Sequence, residues 1–407
     1  MSLPVRSVLL ETSELPPERL RSPSFAWMIG DFSLEGYGEA WRFDPGVGEG
    51  RFQRAREAWG DWLAGVEVDD RVSEAGSGPV GFASFTFDPE SPGSVVAVPA
   101  VVVGRRAGRS WITVTGDGGF PLSATRSAPG AGPPDRPRYV GPSHPDWEWM
   151  ESVARALRLI EAGRLQKVVL ARDVEVWSKS PFGVRRLLRR LHHSFPGCFT
   201  FLVDGLVGAS PELLLKQSGR MVESVALAGT APRHPDPARD EQLARRLLES
   251  EKDLREHDLT ARSVERSLRE VCARLDRNTE PTLRDLVNLR HLSTRFTGLL
   301  SEGLSSFEVV HRLHPTAAVG GVPRQGAMEA IAGLEGIDRG RYAGPVGWFD
   351  SAGVAQWAVA LRCAQLKQTG ARLYAGAGIV AGSLPEEELA ETRLKLRTMT
   401  NALDLRS

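Results

Sequence analysis

Tyr374-Ala375-Gly376-Ala377-Gly378-Ile379-Val380, then Ala381-Gly382-Ser383-Leu384-Pro385, then the acidic run from Glu386 to Glu391, form the stretch whose reading decides the fold. It reads as a strand that breaks into a glycine turn and feeds a helix. Gly376 and Gly378 flank only Ala377, so the backbone there can come close to a ligand and offer its N–H groups. Pro385 suits a first helical position, and carboxylates in a first turn suit the helix dipole. A strand, a turn and a capped surface helix account for most of this. They do not explain why Glu388 and Glu391 share one helix face beside the turn, where they repel unless a cation sits between them. A hard divalent metal is one candidate.

Working outward, the 407 residues suffice for one large or two ordinary domains with a sizeable core. The 51 basic and 51 acidic residues cancel, which removes any bulk attraction to nucleic acid or an anionic membrane. Cys198, Cys272 and Cys363 have neither paired nor metal-ligand spacing, which suits a reducing compartment and argues against a structural zinc site. The first residues lack a signal-peptide layout, and the most apolar run, Val95 to Val103, is broken by Pro99 and too short to span a bilayer. A soluble, cytoplasmic protein without a membrane or nucleic-acid partner is expected.

Residues 1 to 140 read as short strands and turns around one helical patch, Phe52 to Ala64, with strands at Val80 to Phe87 and Val95 to Val103. Ser127 to Pro145 is a linker or a long surface loop. From Asp146 to residue 403 the signals sharpen into a second part. Trp149, Val153, Ala156 and Ile160 recur at helical spacing, with Gly163 as a stop. Gln166 to Val176 alternates as a strand, with Val168, Leu170, Val174 and Val176 on one face and Lys167 on the other. Strands follow at Cys198 to Val203, Leu206 to Gly208, Leu213 to Lys216 and Val222 to Leu227. A long helical pattern runs from Pro237 to Leu275, and a strand from Trp357 to Leu366. Hairpins interspersed with helices predict a mixed α+β fold rather than a doubly wound sheet.

Taken singly, the polar candidates leave the function open. Lys167 is a solvated strand-edge lysine or, in an enclosed polar pocket, a usable base. Glu212, in the turn Ser210-Pro211-Glu212, is an ordinary turn carboxylate or a reacting group mounted on a rigid sheet. Glu256 has a surface partner in Lys252 and Glu391 one in Lys395; such pairs contribute only about 0.3–0.5 kcal/mol. His311 and His314 lack a third ligand, and His314 reads as a helix-end residue. Arg362 faces solvent or meets an anion.

Together these motifs resemble the chorismate-utilising enzymes, and among them the isochorismate synthases. The resemblance rests on Gln166 to Arg172, Gly208-Ala209-Ser210-Pro211-Glu212-Leu213-Leu214, Leu227-Ala228-Gly229-Thr230-Ala231, Ser250 to Asp258, His314 to Gly321 and Tyr374 to Glu391, in that order. It covers residues 146 to 403, and residues 1 to 140 match only loosely, as a strand-rich part completing the sheets. It implies two large, mostly antiparallel sheets with flanking helices around a deep, Mg²⁺-dependent site for chorismate.

Residue by residue, the resemblance implies Glu256 and Glu391 as Mg²⁺ ligands, with Glu388 supporting them through water. Gly229, Thr230 and the backbone at Gly376, Ala377 and Gly378 would line the ring-carboxylate site. Arg362 would pair with the enolpyruvyl carboxylate, where a two-pronged donor fits best, and His291 would face the ring. Lys167 would act as base on water, and Glu212 as acid on the departing hydroxyl. Ala228 stands where aminodeoxychorismate synthases carry a nucleophilic lysine. Lys167 separates this chain from anthranilate synthases, so no glutaminase partner is expected; monomers are common among stand-alone relatives. Salicylate synthases, which also eliminate pyruvate, are the alternative, as is a siderophore rather than a menaquinone pathway. The loop Ala317-Ala318-Val319-Gly320-Gly321 resembles the menaquinone branch more. A non-catalytic binding protein is disfavoured, because it would have no reason to keep acid, base and metal carboxylates together.

Overall fold

A computed structural model describes residues 2–10, 22–117, 137–287 and 289–405; most of the expected Ser127–Pro145 linker lies outside them. The described chain is α+β, with two large sheets. One has thirteen strands, in the order Arg138–Gly141, Lys167–Trp177, Gly370–Val380, Cys363–Leu366, Leu206–Ser210, Phe199–Val203, Phe25–Ile29, Phe32–Tyr37, Val101–Arg106, Arg109–Thr115, Leu3–Leu10, Val66–Asp70, and Gly321–Val322 pairing on Lys167–Trp177. The other has ten, in the order Cys272–Arg277, Leu289–Leu300, Met221–Pro232, Leu213–Ser218, Val354–Val359, Pro345–Asp350, Val80–Ser84, Val95–Val98, Trp41–Phe43, with Thr282–Asp285 beside Leu289–Leu300. Pairing is antiparallel except between Leu3–Leu10 and Val66–Asp70. Strands from before residue 117 enter both sheets.

The sheets face one another across an aromatic core, as two half-buried β surfaces must. Phe25 meets Phe82 at 5.5 Å between ring centres and Phe32 meets Trp348 at 5.4 Å. Trp27 Nε1 donates across the gap to Gln356 Oε1 at 2.8 Å, so the buried indole keeps a partner.

Several strands that read as continuous in the sequence pass from one sheet to the other. Val95 to Val103 is two strands in different sheets, because Pro99 has no N–H to continue a ladder. Trp357 to Leu366 likewise divides into Val354–Val359 and Cys363–Leu366, with Ala360, Leu361 and Arg362 between them. Its partner makes the same passage: Leu206–Ser210 lies in the large sheet, Leu213–Ser218 in the smaller one, with Pro211 and Glu212 between. These strands pair on both sides of the crossing. At the crossing Ala209 N donates to Arg362 O and Val359 N to Glu212 O, each at 3.2 Å. Ser210 Oγ donates to Val359 O at 2.6 Å. Glu212 and Arg362 therefore emerge together, held by a doubled hinge.

The predicted helix from Pro237 to Leu275 is two helices and a strand. Asp236 caps Pro237–Glu249, and Ser250 both ends that helix and caps Glu251–Arg269, its hydroxyl accepting from Asp253 N at 3.2 Å. Val264 and Leu268 keep the apolar stripe, whereas Leu275 falls in the strand Cys272–Arg277. Asp146–Glu161 is helical as expected and ends before Gly163, whose φ is +71°. Trp149, Val153 and Ala156 share one buried cluster with Val168 and Leu170 of the neighbouring strand, whereas Val174 and Val176 of the same predicted apolar face join a second cluster.

Candidate active site

Lys167, Glu212, Gly229, Thr230, Glu256, His291, Arg362, Gly376, Gly378 and Glu391 line one cavity of about 80 Å³. Ala377 does not: it is fully buried, and its position opposite Leu170 turns its backbone groups into the ladder. A larger hollow of about 1060 Å³ contains none of the expected site residues.

Lys167 opens the strand Lys167–Trp177 and is 1 % exposed, which excludes the solvated-edge reading. Its Nζ lies 3.1 Å from Glu256 Oε1 and donates to Thr260 Oγ1 at 3.0 Å. Glu256 therefore pairs with Lys167, and Lys252 instead pairs with Glu388 at 3.2 Å. Glu212 sits on the hinge, 5 % exposed, where burial raises its pKa from the ordinary 4.5 to about 8 despite the charges of Lys167, Lys395 and Arg362. At neutral pH it is a proton donor.

Glu388 and Glu391 lie on the first turns of Pro385–Ala402 and form ion pairs with different lysines, Lys252 and Lys395. Burial, then the neighbouring Glu391, raises the Glu388 pKa, although Lys252 and Ser383 oppose this. Burial also works against ionising Glu391, but Lys395 at 2.5 Å more than offsets it and leaves its pKa below the usual range. Each carboxylate thus has a lysine: Lys167 for Glu256, Lys252 for Glu388, Lys395 for Glu391.

The opening stretch differs from its sequence reading. Gly376 and Gly378 lie inside the strand Gly370–Val380, and the turn comes later, at Gly382 with φ +86°. Val169 N donates to Gly320 O at 2.8 Å and Ala171 N to Glu335 Oε1 at 2.7 Å, away from the glycine strand. The facing pairs Val169–Gly378 and Ala171–Gly376 consequently exchange no ladder bonds, and the glycine backbone groups turn to the opposite edge. There Lys395 Nζ donates to Gly376 O at 2.9 Å. What the glycines provide is room. A Cβ on Gly378 would lie 2.5 Å from Glu256 Oε1 and 3.1 Å from Lys167 Cε. Gly378→Ala is therefore expected to displace the Glu256 carboxylate, a flexible side-chain end, and leave the strand intact. Turnover should fall at least about 10-fold while the melting temperature stays within about 2 °C, by steady-state kinetics and calorimetry.

Arg362 is 8 % exposed, at φ +48° on the hinge, and burial lowers its pKa. Among the described residues no carboxylate forms an ion pair with its guanidinium, although Glu391 and Glu212 act on it through their charge. His291 Nδ1 donates to Gly229 O at 3.2 Å and lies 3.1 Å from Thr230 Oγ1, which leaves Nε2 as an acceptor. Burial, with Arg362 and Lys395 adding to it, lowers the His291 pKa to about 3, so the ring is neutral. Gly229, at φ +73°, forms the bulge in Met221–Pro232 that brings these groups forward. His311 and His314 stand apart; His314 bonds Phe87 O at 3.0 Å as a helix-end residue.

Among the wall residues that sequence reasoning did not assign to the site are Lys395, Tyr342 and Tyr374. Lys395 was read only as a surface partner of Glu391, although one helical turn separates them. Tyr342 and Tyr374 stack at 5.0 Å beside Arg362, and no local pattern announces a pair so distant in sequence.

Comparison with known proteins agrees with this geometry. A family model described as chorismate binding enzyme matches residues 134–404. A putative isochorismate synthase MenF of Mycobacterium tuberculosis (strain ATCC 25618 / H37Rv) is 37 % identical over 354 residues, covering 83 % of this chain and 90 % of the relative. Isochorismate synthase DhbC of Bacillus subtilis (strain 168) is 40 % identical over 277 residues, 65 % of this chain and 70 % of the relative. The crystal structure of a putative 2,3-dihydroxybenzoate-specific isochorismate synthase, DhbC from Bacillus anthracis, superposes with TM-score 0.79 at 31 % identity, covering 95 % of this chain and 97 % of that one. With a family model that spans most of the chain and a relative 37 % identical over 83 % of it, the chain belongs to the chorismate binding enzyme family.

Proposed function

We propose that this chain is an isochorismate synthase, an isomerase that converts chorismate to isochorismate. The observation that carries the reading is a buried glutamate with a pKa of about 8 in the same cavity as a buried lysine. Water is a poor nucleophile and hydroxide a poor leaving group, so moving a hydroxyl from C4 to C2 needs a base and an acid at once. Lys167, in its neutral form once Glu256 turns to the cation, accepts the proton of the water that attacks C2, both ring double bonds shift, and Glu212 protonates the C4 hydroxyl as it leaves. One water enters and one departs, so the atoms balance. Arg362 would hold the enolpyruvyl carboxylate, and neutral His291 would present Nε2 to the substrate ring. Relatives named as isochorismate synthases support the same reading.

Mg²⁺ belongs to this proposal. Glu256 and Glu391 supply hard oxygen donors to one cavity, and the missing Cβ of Gly378 lets the Glu256 carboxylate reach into it. Among the described residues no three ligating side chains are gathered. That fits a cation that takes one or two carboxylates and completes its shell with water and substrate oxygens. Bound there, Mg²⁺ would stabilise negative charge spreading toward the ring carboxylate. Dialysis against EDTA is expected to abolish turnover and added Mg²⁺ to restore it; full activity after chelation would remove the metal from the proposal.

Incubation with chorismate and Mg²⁺, with products separated by chromatography, tests the activity. Isochorismate is expected. Salicylate with pyruvate would move the chain to the salicylate synthases, and anthranilate made with ammonia would overturn water as nucleophile. We assign the product to menaquinone synthesis on the Ala317–Gly321 loop. The 2,3-dihydroxybenzoate-specific relative favours a siderophore as second reading. Complementing a strain without its own isochorismate synthase, and assaying menaquinone against catechol, separates the two. Among the described residues no helix is long and apolar enough to cross a membrane, which accords with a protein working in the cytoplasm on a small soluble substrate.

A further inference from the structure

We propose that Thr260 is a positioning residue that keeps the Lys167 amine aimed into the cavity; this rests on the reading of Lys167 as the base. Thr260 is fully buried on the helix Glu251–Arg269, one turn after Glu256. Its hydroxyl has a single proton, and that proton is committed: Thr260 Oγ1 donates to Glu256 O at 3.1 Å, the back-bond of a helical threonine. Its lone pairs are thereby turned outward, and Lys167 Nζ donates to one of them at 3.0 Å. A buried threonine needs only the first bond to be satisfied. The second serves the lysine.

Lys167 has another partner, the Glu256 carboxylate at 3.1 Å, but that carboxylate has two claims on it. In the proposed function Glu256 also holds the cation, so its grip on Lys167 changes as the site fills. The Thr260 hydroxyl has no such competitor. It is neutral, fixed to the helix backbone, and keeps the same direction whether Glu256 faces the lysine or turns away. A lysine side chain has four rotatable bonds, and a fixed acceptor at its tip limits where the nitrogen sits without adding charge. Geometry of this kind acts on the chemical step, and misplacement by an ångström costs on the order of 100-fold.

The test is Thr260→Val, which removes the hydroxyl at nearly constant volume, with Thr260→Ala beside it in case the buried valine misfits. Both are expected to lower kcat about 10- to 100-fold, leaving KM for chorismate and the melting temperature nearly unchanged. Thr260→Ser, which keeps the hydroxyl, should recover most of the rate. Calorimetric titration with Mg²⁺ alone should give affinities within about twofold of the parent, since Thr260 bonds the backbone of Glu256 and not its carboxylate. Parental kcat in Thr260→Val, failure of Thr260→Ser to recover, or a matching loss of Mg²⁺ affinity would each overturn the proposal. Lys167→Ala separates the levels. If that variant turns over, the base assignment fails and this inference with it; if it is inactive while Thr260→Val is not, this inference alone fails.

Discussion

Glu212→Gln is expected to reduce kcat by about 10²–10⁴-fold, the range typical of losing a general acid, while chorismate still binds. The amide keeps the size and a hydrogen-bond donor but cannot hand a proton to the departing hydroxyl. Lys167→Ala should cost a similar factor, because it removes the base proposed for the attacking water. Retained turnover in either variant would remove that residue from the mechanism. The raised pKa of Glu212 also sets a pH dependence. The acid must be protonated, so kcat should decline as pH rises through about 8. Stability follows the same proton. Unfolded, Glu212 ionises near 4.5 and folded near 8, so the native state holds the extra proton between these values and loses stability as pH rises across them. Glu212→Gln escapes this loss. At pH 8 it should be more stable than the parent by up to a few kcal/mol, and below about pH 4.5 the advantage should vanish. A variant that is less active yet more stable cannot owe its defect to unfolding; denaturant titrations at both pH values decide this.

Arg339→Ala is expected to destabilise the fold by about 3–5 kcal/mol, measured from denaturant midpoints, because it strands a buried carboxylate. Arg339 and Glu335 form an ion pair whose side chains are only 3 % and 2 % exposed. The guanidinium donates to Val319 O and Val169 O, each at 2.8 Å, and lies 4.0 Å from the centre of the Phe87 ring. Glu335 Oε1 in turn accepts from Ala171 N at 2.7 Å. The short strand Gly321–Val322 pairs with the Lys167 strand only at Lys167 and Val168; beyond it, Arg339 takes Val169 O and Glu335 takes Ala171 N. Val169 and Val319 both line the cavity, so surviving Arg339→Ala protein should also bind chorismate more weakly. A loss below about 1 kcal/mol would show the pair to be dispensable.

The resemblance implied eleven site residues, and ten of them, all but Ala377, meet in one cavity. Where single-residue patterns were used, they failed at the crossings. Trp357 to Leu366 has the apolar content of one strand, and nothing local marks Arg362 as the point where it changes sheets. The glycines of Tyr374 to Val380 signalled close approach correctly but not its form: a strand interior without Cβ atoms, not a turn. The bland salt bridges were half right. Glu391 does pair with Lys395, whereas Glu256 takes Lys167, a residue 89 positions away in the chain, over its helical neighbour Lys252.

By itself the sequence determined the α+β class, most helix and strand positions, and the family, because periodicity, caps and ordered motifs are local properties of the chain. Only the tertiary structure decided that Glu212 and Arg362 rise together from one doubled hinge and that Lys167 is enclosed. It alone decided which lysine lies against which carboxylate, and that burial raises the pKa of Glu212. Those outcomes depend on desolvation and on contacts between segments far apart in the chain, and neither is written in any one stretch of residues.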